Sequence, residues 1–168
     1  MAGETRKGKA MNEENTQKLY QDFPALYRDA KTGVEVNCMQ SGFSCGDGWF
    51  SLIHQLSAEI EAEAHRLGLD PASDEWPRAD QVKEKFGTLR FYVSTPSMPG
   101  SFGIEVRGPI TSIRPLAGIE SIRAMVQEAE ARSATVCEYC GNPGTFRGER
   151  RIRTLCDRCE VAYQRNEL

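Results

Sequence analysis

The residues with the clearest chemical potential are four cysteines in two matched pairs, CEYC at 137–140 and CDRC at 156–159, separated by fifteen residues. A CxxC turn holds two sulfurs close enough for one tetrahedral ion, and the segment between the pairs must fold back to bring the second pair alongside. Here "GNPG" after Cys140 suits a tight knuckle. Phe146 and Ile152 fit facing strands of a hairpin turning near Gly148, and "CDRCEVAYQRNEL" carries a short helical pattern. Knuckle, hairpin and helix in this order predict a treble clef, with a zinc ribbon as the near alternative. The expected ligands are Cys137, Cys140, Cys156 and Cys159, and the expected ion is Zn²⁺. A redox dithiol or an iron–sulfur centre is the competing chemistry. Four thiolates fill the tetrahedron and leave no position for water or substrate, so the expected role is structural.

Compartment bears on the same question. The N-terminal "MAGETRKGKAMNEEN" has no apolar h-region, and no run of about 18 apolar residues occurs. These features predict a cytoplasmic protein without a membrane span, where thiols stay reduced and paired CxxC motifs favour metal over disulfide.

Other residues offer weaker chemistry. Cys45 precedes a predicted helix N-terminus, where the dipole can lower a thiol pKa and make a nucleophile; a small buried hydrophobe is the commoner role for a free cysteine. Cys38 is too far from a CxxC spacing to join the quartet. His54, Glu61 and His65 share one flank of a helix but do not form HExxH, and a solvated polar face is the expected reading. GxSxG, Walker and GxGxxG motifs are absent, so a non-enzymatic protein is expected, with an enzyme using Cys45 as one alternative.

Arg147, Arg150, Arg151 and Arg153 crowd the segment between the cysteine pairs and are the expected partner-binding residues. From Thr135 onward six arginines meet five acids, and the chain carries a net charge of −3. The balance argues against a surface built wholly to grip a phosphate backbone. Protein contact leads, and nucleic-acid binding by the arginine hairpin is the second alternative. "KEKFGTLRFYV" has the aromatic spacing of a single-strand stacking platform, although an ordinary half-buried strand reads the same way.

The elements that must position these residues follow from periodicity. With 39% hydrophobic and 27% charged residues among 168, the chain can bury a core. A flexible tail is expected over 1–11, an α+β body over 12–134 and a four-cysteine module over 135–168. A short helix is predicted from Asn12 to about Asp22, then an apolar edge of Phe23, Leu26 and Tyr27. The main helix starts with Asp47 as N-cap and stops at Gly68. Its stripe of Trp49, Leu52, Ile53, Leu56, Ile60, Ala64 and Leu67 recurs at steps of three and four. "DPASDEWPRAD" reads as loop. Val82, Glu84 and Phe86, then Leu89, Phe91 and Val93, alternate with polar residues as two strands interrupted at Gly87. A flexible connection over 95–103, two short strands around Gly108-Pro109 and a helix from Pro115 to Ser133 complete the body. The fold class is α+β, with a small antiparallel sheet and the cysteine module packed on it.

Together "CGDGWFSLI", "VKEKFGTLRFYV" and "CEYCGNPGTFRGERRIRTLCDRC" resemble a group of small uncharacterised proteins encoded by bacteriophages and prophages, over residues 20–160. The resemblance implies a phage context, expression in bacterial cytoplasm, and a function directed at a host protein or defence complex. It brings no catalytic residues and supports only the four cysteines as metal ligands.

Overall fold

The computed structural model describes residues 10–31, 38–95, 119–148 and 151–168. Residues 1–9 of the expected tail, the connection after Thr95, the strands around Gly108-Pro109 and the first turn of the Pro115 helix lie outside the described residues. The tail is shorter than expected, because Met11 is buried in the core and its N–H donates to the Phe43 carbonyl (3.3 Å).

Helix α1, Glu13–Asp22, begins where expected: Asn12 is its N-cap, and the Asn12 carboxamide oxygen accepts the Asn15 N–H. Phe23, Leu26 and Tyr27 follow, all buried. Helix α2, Phe50–Arg66, buries the predicted stripe from Leu52 to Ala64. Beyond it Gly68 and Leu69 donate to the carbonyls of His65 and Ala64, closing the last turn as a Schellman motif.

The start of α2 differs from expectation. A 3₁₀ turn over Asp47–Trp49 precedes the helix, and Asp47 is not its cap. The Asp47 carboxylate instead accepts the Asn12 N–H (2.8 Å) and the Asn15 side-chain amide (2.9 Å), joining this turn to the start of α1.

Strands β1 (Arg78–Lys85) and β2 (Thr88–Ser94) form an antiparallel hairpin with a bulge between Ala79 and Gln81. β1 thus begins inside the stretch that reads as loop. Val82, Leu89 and Phe91 face the core, while Gln81, Lys83 and Lys85 pair outward with Tyr92, Arg90 and Thr88. Phe86 does not continue the apolar row. It shares a two-residue turn with Gly87, at φ 54° and 78°, and is 68% exposed.

Helix α3, Ile119–Ser133, packs on α2 and across β2. Ile122, Val126 and Ala129, at steps of four and three, are its buried face. Its polar side chains also finish the sheet: Ser133 Oγ accepts the Leu89 N–H (2.8 Å) and Glu130 accepts the Phe91 N–H (3.1 Å). An edge that could recruit a further strand is thereby occupied.

Candidate metal centre

The C-terminal segment follows the predicted order of parts. After α3 the chain makes a knuckle at Cys137–Gly141, in which Gly141 (φ 77°) donates to the Cys137 carbonyl. Strands β3 (Thr145–Arg147) and β4 (Arg153–Leu155) pair antiparallel, and helix α4 runs over Asp157–Gln164. Cys156 is the N-cap of α4, its sulfur accepting the Cys159 N–H at 3.5 Å.

These elements bring the four cysteine sulfurs within 4.8 Å of one another. Cys140 and Cys156 are 3.6 Å apart, close to the roughly 3.8 Å that tetrahedral zinc–sulfur bonds require between ligands. Cys137 and Cys159 are buried, and Cys140 lies at the surface. The Cys159 amide at the start of α4 lowers the Cys156 thiol to about 7, whereas burial raises Cys137 and Cys159. Thiolates so close and partly desolvated repel one another, and a bound divalent cation removes that conflict. The donor set therefore fits a soft or borderline metal ion. It is the one metal-competent cluster among the described residues.

Around the quartet lies a set of contacts that the motif alone did not reveal. Glu138, inside the first CxxC, is buried and reaches in three directions. Its backbone carbonyl accepts the Gly48 N–H (2.8 Å), one carboxylate oxygen accepts the Gly46 N–H (3.2 Å), and the other accepts Arg153 (2.6 Å). The Trp49 indole N–H donates to the Val136 carbonyl at 2.8 Å. "CGDGW" is thus the seat of the knuckle, and its glycines are a matter of space. A Cβ on Gly46 would stand 2.5 Å from the Glu138 carbonyl oxygen, and one on Gly48 2.6 Å from the Cys140 nitrogen. A second seam joins the hairpins, where the Thr154 hydroxyl donates to the Gly87 carbonyl (2.6 Å).

Arg153 requires a correction. It is expected outside as a contact residue, yet it is 3% exposed, paired with Glu138 and within cation–π reach of Tyr139 and Tyr163 at 5.9 and 5.6 Å. Burial raises the Glu138 carboxyl, and the Arg153 charge opposes that rise. β4 is buried along its whole length, so an arginine there must be neutralised internally. Arg147 is ion-paired with Asp157. Arg151 is exposed, and Arg150 lies outside the described residues. Beside Arg151, this hairpin exposes two large apolar side chains, Phe146 (55%) and Ile152 (37%).

The remaining candidates separate. Cys45 is buried as a core residue, and burial raises its thiol well above the ordinary range, opposite to the lowering a helix start would give. Cys38 opens a 3₁₀ turn outside the quartet. His54 pairs with Asp22 (2.7 Å), Glu61 accepts the Leu26 N–H (3.1 Å), and His65 packs edge-on against Trp76. Each meets a different neighbour, so this flank ties elements together and is not merely solvated. No helix among the described residues is long and apolar enough to cross a membrane.

No protein family, curated protein or solved structure matches the chain.

Proposed function

We propose that Cys137, Cys140, Cys156 and Cys159 hold one structural Zn²⁺ in a treble-clef arrangement, and that the protein is a non-enzymatic binding protein acting by protein–protein contact. The observation that carries this reading is the position of the quartet. Its four sulfurs lie within 4.8 Å of one another, and the backbone on one side is clamped to "CGDGW". An ion there fixes the attitude of the β3–β4 hairpin to the body. It supplies no open coordination site for chemistry. The surface it fixes carries Phe146 and Ile152 outward, as a contact surface would. A phage or prophage origin, and a host protein or defence complex as target, rest on the sequence resemblance alone.

The test has two readouts on protein purified from a bacterial lysate. Elemental analysis should give one zinc per chain, and a host protein should co-purify in stoichiometric amount and dissociate when a mercurial displaces the metal. Iron or no metal in the site would remove the structural-zinc part. A clean preparation with no stoichiometric partner would remove the contact part.

A further inference from the structure

Phe86 contradicts its own turn. A two-residue hairpin loop of this kind needs positive φ at both central positions, which Asn-Gly or Asp-Gly meets at little cost. Phenylalanine at φ 54° is strained, and its 68% exposure means that burial does not offset the strain. A local rule broken for no more than an exposed Lys85 contact over the ring points to selection for something else at that position.

Two more exposed apolar side chains meet at the same place. A Cβ built on Gly87 would lie 2.9 Å from the Phe146 ring and 3.1 Å from an Ile152 methyl, so both side chains lie over the residue beside Phe86. Of the five large exposed hydrophobics among the described residues, three therefore gather where the two hairpins touch.

The charge bordering this patch is of one sign along the outer face of β1–β2. Lys83 stands directly opposite Arg90, a like-charge pair that costs ladder stability, and Lys85 comes next toward the tip. Of the two acids of β1, Asp80 sits in the bulge at the far end of the strand, and Glu84 belongs to the core-facing row and accepts the Gly87 N–H at 2.7 Å. Exposed Arg151 adds a cation on the zinc hairpin. An apolar centre with a cationic border has the anatomy of a protein interface whose partner is acidic around an apolar anchor.

The geometry points to the junction of the two hairpins as a docking site for an acidic segment of another protein. Its apolar side chain would rest on Phe86, Phe146 and Ile152, and its carboxylates would face Lys85, Arg90 and Arg151. This deepens the protein-contact reading above and rests on it. A single-stranded nucleic acid fits less well. Ile152 offers no stacking plane, and Lys83 and Lys85 already lie against the rings of Tyr92 and Phe86, at 5.3 and 5.4 Å from their centroids.

A displayed library of random peptides, selected on the metal-loaded full chain, tests the site, with labelled oligo-dT and oligo-rU as parallel probes. Peptides that place Asp or Glu around a bulky apolar residue should be enriched. Phe86→Asn and Phe146→Ser should each weaken the best peptide at least about tenfold, with circular dichroism and zinc content unchanged. Lys85→Glu should weaken acidic peptides selectively. The inference fails if no such peptides are enriched, if binding ignores Phe86→Asn and Phe146→Ser, or if the oligonucleotides bind through these residues instead. A co-purified host protein that ignores Phe86→Asn would overturn this site while leaving the protein-contact reading intact.

Discussion

The two hairpins of this protein touch, yet different physics holds each one. β1–β2 has long strands, buries Val82, Leu89 and Phe91 beneath it, and has its edge covered by α3. Its stability is that of an ordinary half-buried sheet. β3–β4 has three-residue strands, and its module's apolar cluster comprises little more than Leu155, Tyr139, Tyr163 and the cysteines themselves. Burial on that scale cannot offset the cost of ordering the segment, so the second hairpin needs a cross-link the first does not. With the proposed ion bound, metal and core would divide the work: one hairpin is placed by packing, and the other would be placed against it by the ion.

The most severe way to break this comparison is to remove the ion. Cys137→Ser or Cys159→Ser should abolish stoichiometric metal and unfold residues 135–168, since structural zinc supplies on the order of 10 kcal/mol in small modules. Hydrogen exchange is the sharp measurement. Amides of Gly48, Glu138 and Gly141 should lose protection together, while the middle of α2 keeps it. Equal loss across α2 would mean that the body, too, depends on the metal.

The buried ion pair is the next lever. Arg153→Met should cost about 3–5 kcal/mol in urea unfolding, because it leaves a buried carboxylate uncompensated. Without the arginine, the pKa of folded Glu138 lies further above its unfolded value. Part of the loss should therefore be recovered as pH falls and Glu138 takes up a proton. Glu138→Gln combined with Arg153→Met should sit well above the single variant, since Gln still accepts from Gly46 while the stranded charge is gone. A double variant as weak as the single would show that the pair is more than a solved desolvation problem.

What the sequence reveals and conceals follows the range of the interactions. The α2 stripe, the Gly68 stop and the cysteine spacing are local patterns, and the structure buries the stripe, ends the helix at the glycine and gathers the four sulfurs as expected. The Glu138–Arg153 pair joins two residues of surface-loving type across a hairpin, and neither carries a periodic signal. Arg153 therefore reads as one more exposed cation. Phe86 misleads for the opposite reason: the period-two row of Val82 and Glu84 runs straight into it, although Gly87 after it marks the turn. Asp47 looks like a cap because its position suits one, but Asn12 and Asn15, some 35 and 32 residues away, claim its carboxylate.

The contact between the halves can be probed without touching metal or charge. Gly48→Ala places a methyl against the backbone of Cys137 and Cys140, where no side chain can yield. Overpacking of this kind costs about 1–3 kcal/mol, and here it should appear as loosened docking with zinc retained. Trp49 fluorescence reports it directly, because the Trp49 indole bonds to Val136 at the entrance to the knuckle. Unchanged emission and melting would mean that the knuckle has a second way to sit.

The smallest expected change is the most diagnostic, because its sign is unusual. Phe86→Asn relieves a left-handed conformation that costs a bulky residue about 1–2 kcal/mol. It forfeits the Lys85 contact over the ring, which at an exposed site is worth about 0.5–1 kcal/mol. The net expectation is a variant equal to the parent or more stable by up to about 1 kcal/mol in thermal or urea unfolding. A substitution that steadies the β1–β2 turn while weakening peptide binding would separate what Phe86 does for the fold from what it does at the surface. Were Phe86→Asn clearly destabilising, the ring would be part of the seam between the hairpins, and the two would be held together by packing as well as by the metal.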